Sequence, residues 1–88
     1  MSLARHAKRR DDNEAQIIRD LRKVGAVVEQ LDKPDLIVRF AFSTYLMEVS
    51  NPKNKYRKRE KDQLEFLKTF AIPVVTCSDE ALRIIGAM

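Results

Sequence analysis

Asp35 and Glu48 stand at the two ends of PDLIVRFAFSTYLMEVS, a stretch that otherwise reads as a hydrophobic hairpin. A turn centred between Ala41 and Phe42 sets Leu36 opposite Met47, Ile37 opposite Leu46 and Val38 opposite Tyr45. The same register puts Asp35 opposite Glu48. Directly opposed residues have Cβ atoms roughly 4.5–5.5 Å apart, where like charges are destabilising. Two acids held that close share a proton, splay into water or share a cation. Alternatively, they mark strand ends, where a charge stays solvated at little cost. A pair of hard oxygen donors with open positions suits Mg²⁺ or Mn²⁺, which take one or two carboxylates and leave room for a substrate phosphate. Beside a basic segment, such an ion would serve phosphodiester hydrolysis.

The basic residues are clustered. The chain has 88 residues and a net charge of +4, from 17 Lys plus Arg against 13 acids. RHAKRR (5–10) forms one group. KNKYRKREK (53–61) forms another, with six cations and one acid in nine residues. A single cluster reads as a solvated surface. Two clusters in so short a chain, one enclosing Tyr56, point to a polyanion, most simply nucleic acid. Arg9, Arg10, Lys53, Lys55, Arg57, Lys58, Arg59 and Lys61 are the candidate phosphate contacts. Neither cluster lies on a strongly amphipathic helix, so a membrane surface is not the expected partner.

The length allows one domain, and a chain of this size buries only roughly 60–65 % of its unfolded surface, so dimerisation would help it. Neither a membrane span nor a signal-peptide pattern is expected. The single cysteine, Cys77, excludes an internal disulfide and a cysteine-based zinc site, and points to the cytoplasm. It ends an apolar run and reads as core rather than as a nucleophile. His6 falls in the basic arm and reads as solvated. Two glycines, Gly25 and Gly86, cannot build a phosphate-binding loop.

These groups need elements to hold them. Residues 1–10 read as a flexible arm and 11–88 as the domain. DDNEAQIIRDLRKVG reads as a helix with Ile17, Ile18, Leu21 and Val24 inward, capped by Asp11 or Asp12 and stopped at Gly25. AVVEQL, DLIVR and TYLMEVS read as strands, with Pro34 breaking the chain before the second. YRKREKDQLEFLKTF gives another helix, with Gln63, Phe66, Leu67 and Phe70 on one stripe. IPVVTC reads as a strand covered on both faces. Ser78 is placed to cap a last helix, with Leu82 and Ile85 inward and Gly86 as its stop. The order α-β-β-β-α-β-α predicts an α/β fold, a three-layer sandwich around a small mixed sheet.

Taken in order, NEAQIIRDLRKVGA, PDLIV, YLMEVS, DQLEF and IPVVTCSDEALRIIG resemble the PD-(D/E)XK nuclease superfamily. The likeness is to its small VRR-NUC branch, which is related to Holliday-junction resolvases, and it spans about residues 11 to 86. It implies a restriction-endonuclease-like core and a metal-dependent DNA endonuclease acting on branched, flapped or four-way junction DNA, with a homodimer placing two sites on two strands. By the same resemblance Asp35, Glu48 and the carbonyl of Val49 would hold Mg²⁺ or Mn²⁺. Glu14 matches an acid on the family's first helix, although with Asp11 it also forms an acidic capping box. Gln63 matches a glutamine on the family's second helix.

One motif position departs. The family has lysine two residues after the glutamate, where this chain has Ser50. Losing a group that stabilises charge in the transition state costs roughly 10²–10³ in rate. A migrated lysine (Lys53, Lys55, Lys58 or Lys61), a degenerate member that binds DNA without cutting, or an engineered Ser50 each accounts for the change.

Overall fold

The computed structural model describes residues 12–53 and 61–88. Its elements are α1 (Asp12–Lys23), β1 (Val27–Gln30), β2 (Leu36–Phe40), β3 (Ser43–Val49), α2 (Lys61–Thr69), β4 (Val74–Val75) and α3 (Ser78–Ile84). This is a small α/β protein whose four strands form one mixed sheet in the order β1-β2-β3-β4. β1, β2 and β3 are antiparallel neighbours, and β4 joins β3 in parallel. The expected element order and hairpin register both hold: Leu36 pairs with Met47, Ile37 with Leu46 and Val38 with Tyr45.

Strand alternation sorts the hairpin into two faces. Leu36, Val38, Tyr45, Met47 and Val49 turn to one side, joining Val28, Val75, Ile17, Leu21, Ala81 and Ile85 in the core. α1 packs against α3 and β1 there. Asp35, Ile37, Leu46 and Glu48 take the other side by the same alternation.

All three helices stop in the same way. Ala26 N–H reaches Leu21 O and Gly25 N–H reaches Arg22 O, a Schellman pair with Gly25 at φ 93°. Gly86, at φ 80°, ends α3 with the same two bonds, to Arg83 O and, from Ala87 N–H, to Leu82 O. α2 uses Ala71 at φ 52° in that role, with Ile72 N–H on Leu67 O. An alanine there is not a stop signal by residue type.

Several local expectations are corrected. α1 ends at Lys23, so Val24 falls in the terminating turn and is exposed. Phe70 lies past the end of α2 and is exposed, although Leu67 is buried and Phe66 half-buried. β4 has only two residues at a sheet edge, so Val75 is buried and Val74 is not. Cys77 is exposed rather than core. The last helix is not capped by Ser78: Cys77 occupies the N-cap and its side chain makes no capping bond.

Glu80 compensates for that missing cap. Its carboxylate accepts the Thr76 backbone N–H at 2.6 Å and the Thr76 hydroxyl at 2.9 Å. The Thr76 backbone bond, then the hydroxyl, hold the Glu80 carboxyl below its ordinary value of 4.5. A lowered pKa means the contribution is present above the unfolded value and is lost as pH falls through the folded one. Glu80→Gln should therefore destabilise by about 0.5 kcal/mol at pH 7, the low end for an exposed cap. That difference should shrink below about pH 4.5, which urea unfolding at pH 7 and pH 3 measures.

The β2–β3 turn has positive φ at both central residues, Ala41 at 50° and Phe42 at 73°, the signature of a type I′ hairpin. Asparagine and glycine suit those positions, because a Cβ is unfavourable in the left-handed region. Ala41→Asn combined with Phe42→Gly should stabilise the fold by about 1 kcal/mol, since Phe42 is 93 % exposed and loses little packing. A raised urea midpoint at unchanged slope would show it.

Candidate metal centre

The strand ladder reaches its limit at the two acids. Glu48 N–H bonds Pro73 O and Ser50 N–H bonds Val75 O, so both point towards β4. Val49, between them, therefore turns its N–H and carbonyl towards β2. Continued register would bring it against Pro34, which has no N–H to donate. Asp35 takes over: its Oδ2 accepts the Val49 N–H at 2.9 Å. The segment leading to it is tight, with Leu31 N–H on Asp35 O at 2.7 Å and a cis Lys33–Pro34 peptide.

Glu48 completes the junction. Its Oε1 accepts the Asp35 N–H at 3.3 Å, and its Oε2 accepts Gln63 Nε2 at 2.7 Å. Asp35 is 3 % exposed and Glu48 0 %. Of the readings open for the pair, splaying into water and marking solvated strand ends are both excluded by that burial. The hairpin alternation sends both side chains to the face opposite the apolar core, and α2 supplies Gln63 there. Two carboxylates are thereby brought to one face, and hard oxygen donors of that type are the ones Mg²⁺ and Mn²⁺ take.

Glu14 is also buried, at 2 % exposure, but its Oε2 accepts Gln30 Nε2 from β1 at 3.1 Å. Among the described residues, no three His, Cys, Asp or Glu side chains come together as a metal-holding group. Glu14 therefore does not join Asp35 and Glu48 in one centre. Its burial follows from its place three and four residues before Ile17 and Ile18, which are both buried on the same helix.

Ser50 lies just past the end of β3, with its N–H on Val75 O and its carbonyl accepting Asn13 Nδ2 at 2.9 Å. The same Asn13 nitrogen donates to Thr76 O at 2.8 Å, tying α1 to the ends of β3 and β4. Nothing in its sequence position signals that brace. Lys53 and Lys61 are exposed, with Lys53 N–H on Asn51 Oδ1 in the turn after β3. Arg9, Arg10, Lys55, Arg57, Lys58 and Arg59, with the arm and His6, lie outside the described residues.

Sequence reasoning passed over Lys33. Its Nζ sits 4.9 Å from the centroid of the Phe66 ring on α2. Phe66 in turn packs on Phe70, with ring centroids 5.2 Å apart. The proximity of Lys33 to Asp35 in the chain was the available signal.

Among the described residues, no helix is long and apolar enough to cross a membrane. No family model, curated protein or solved structure matches the chain.

Proposed function

We propose that the chain is a metal-dependent endonuclease acting on branched DNA, built as a three-layer sandwich with a restriction-endonuclease-like core. The observation that carries this reading is the buried Asp35–Glu48 pair, bonded through Asp35 N–H and Val49 N–H where the hairpin meets the basic loop. Two carboxylates buried together on one face, each reaching the other's strand end, are the oxygen donors that a small divalent cation takes.

Asp35 and Glu48, with the Val49 carbonyl, would hold Mg²⁺ or Mn²⁺. When bound, the ion supplies an acidified water and neutralises phosphate charge. The chain's own part is orientation. The Val49 N–H fixes one oxygen of Asp35, and Gln63 fixes one oxygen of Glu48, so neither carboxylate needs to reorganise. Glu14 is left out of the ligand set. Lys53, Lys61, Arg9, Arg10 and the cations of 55–59 would contact backbone phosphates, giving steep salt dependence and little base reading. A homodimer would offer two such centres to two strands.

A second reading, a DNA-binding member of the same fold that does not cut, is favoured by the uncharged Ser50. Cleavage of a four-way junction in Mg²⁺ or Mn²⁺, compared between the wild type and Asp35→Asn, separates the two. Cutting that depends on Asp35 supports the nuclease. Tight, salt-sensitive binding without cutting at any metal concentration supports the binder.

A further inference from the structure

We propose that Lys33 supplies the cation that Ser50 cannot, delivering its ammonium from the segment before β2 to the phosphate at the Asp35–Glu48 centre. This inference rests on the nuclease reading.

Ser50 is held from both sides of its backbone, so it sits where a strand lysine would start but brings no charge. Among the described residues, the lysines that follow it are poorly aimed. Lys61 precedes Gln63 by two positions, and residues two apart on a helix do not share a face. With Gln63 turned to Glu48, Lys61 is directed away. Lys53 is exposed in a turn leading off the sheet.

Lys33 is placed differently. It lies two residues before Asp35, so their Cα atoms are within about 7 Å. Pro34 between them is buried, which anchors the backbone. The ammonium rests over Phe66, one helical turn on from Gln63, and Cβ atoms at that spacing are about 5–6 Å apart. Gln63 in turn touches Glu48 at 2.7 Å. Contacts thus link Lys33 to Phe66 and Gln63 to Glu48, while chain spacing puts Phe66 near Gln63 and Lys33 near Asp35. An aromatic face holds an ammonium nearby without consuming its N–H donors. Lys33 is itself exposed, so its stem is free to swing to an incoming phosphate.

In hydrolysis the water oxygen bonds to phosphorus and one ester P–O bond breaks. The departing oxygen takes up a proton, and the water proton passes to solvent. Lys33 exchanges no net proton; it donates to a non-bridging phosphate oxygen, where negative charge grows in the transition state.

Single-turnover and steady-state cleavage of a four-way junction in Mn²⁺ test the assignment. Lys33→Met should lower kcat by about 10²-fold with KM changed much less, since the contact strengthens only in the transition state. Lys33→Arg should retain most activity, and adding Ser50→Lys to Lys33→Met should restore at least about tenfold. Binding of the same junction in chelator should be nearly unaffected in all variants. Full activity in Lys33→Met, or a loss that neither Lys33→Arg nor Ser50→Lys repairs, overturns the role of Lys33. If the wild type cuts and Asp35→Asn does not, the nuclease reading survives that outcome. A wild type that never cuts overturns both.

Discussion

If the chain is the proposed nuclease, Asp35→Asn should lower four-way-junction cleavage by about 10³-fold or more in saturating Mg²⁺ or Mn²⁺, and should leave junction binding in chelator within a factor of about two. Asparagine keeps an oxygen for the Val49 N–H, so the end of the hairpin stays closed and the fold is preserved. What changes is one of two negative charges in a buried donor set. A divalent ion held as proposed would lose several kcal/mol of attraction when one carboxylate becomes an amide. Binding in chelator depends instead on the basic residues and the salt concentration. Gel-resolved cleavage and fluorescence anisotropy measure the two separately. Equal cleavage by variant and wild type would remove Asp35 from the chemistry.

The second large effect concerns stability without DNA. Mn²⁺ at ten times its dissociation constant should stabilise the wild type by about 1.4 kcal/mol, because an ion that binds only the folded state shifts the equilibrium by mass action. For a chain of this size that corresponds to about 5–10 °C in the melting midpoint. Glu48→Gln should respond in the opposite pattern. It keeps an oxygen for the Asp35 N–H, and the Gln63 amide can turn over to accept from the new amide nitrogen. One anionic donor is then gone from the proposed ligand set, so the variant should bind Mn²⁺ far more weakly than the wild type. Its melting point should be nearly insensitive to Mn²⁺. Calorimetry of both proteins across a Mn²⁺ series checks the pattern. A wild type that ignores the ion would argue against a shared cation.

The hairpin substitution acts at the opposite end of β2 and β3 from these acids, so its effect should add to those at the centre.

Much of this architecture follows from residue order alone. A turn centred between Ala41 and Phe42 gives a register that puts apolar residues opposite apolar ones on both faces of the hairpin. That register brings Asp35 to Glu48 before any coordinates are known. Gly25 and Gly86 likewise announce two helix stops, since their residue type is the one that tolerates positive φ.

Other features depended on groups distant in the chain. Asn13 braces two strand ends through Ser50 O and Thr76 O, and Ala71 takes a left-handed turn that its Cβ disfavours. Glu14 matches an acid of the family that the chain resembles, and the closing of α1 onto β1 brings its carboxylate to Gln30. Lys33 met Phe66 because α2 folds back over the sheet, a contact no local pattern encodes. The sequence by itself determined the pairing of the two acids, since strand periodicity is a local property of the backbone. Only the tertiary structure decided that both are buried, what holds each oxygen and which lysine lies near, because those depend on how separate elements pack.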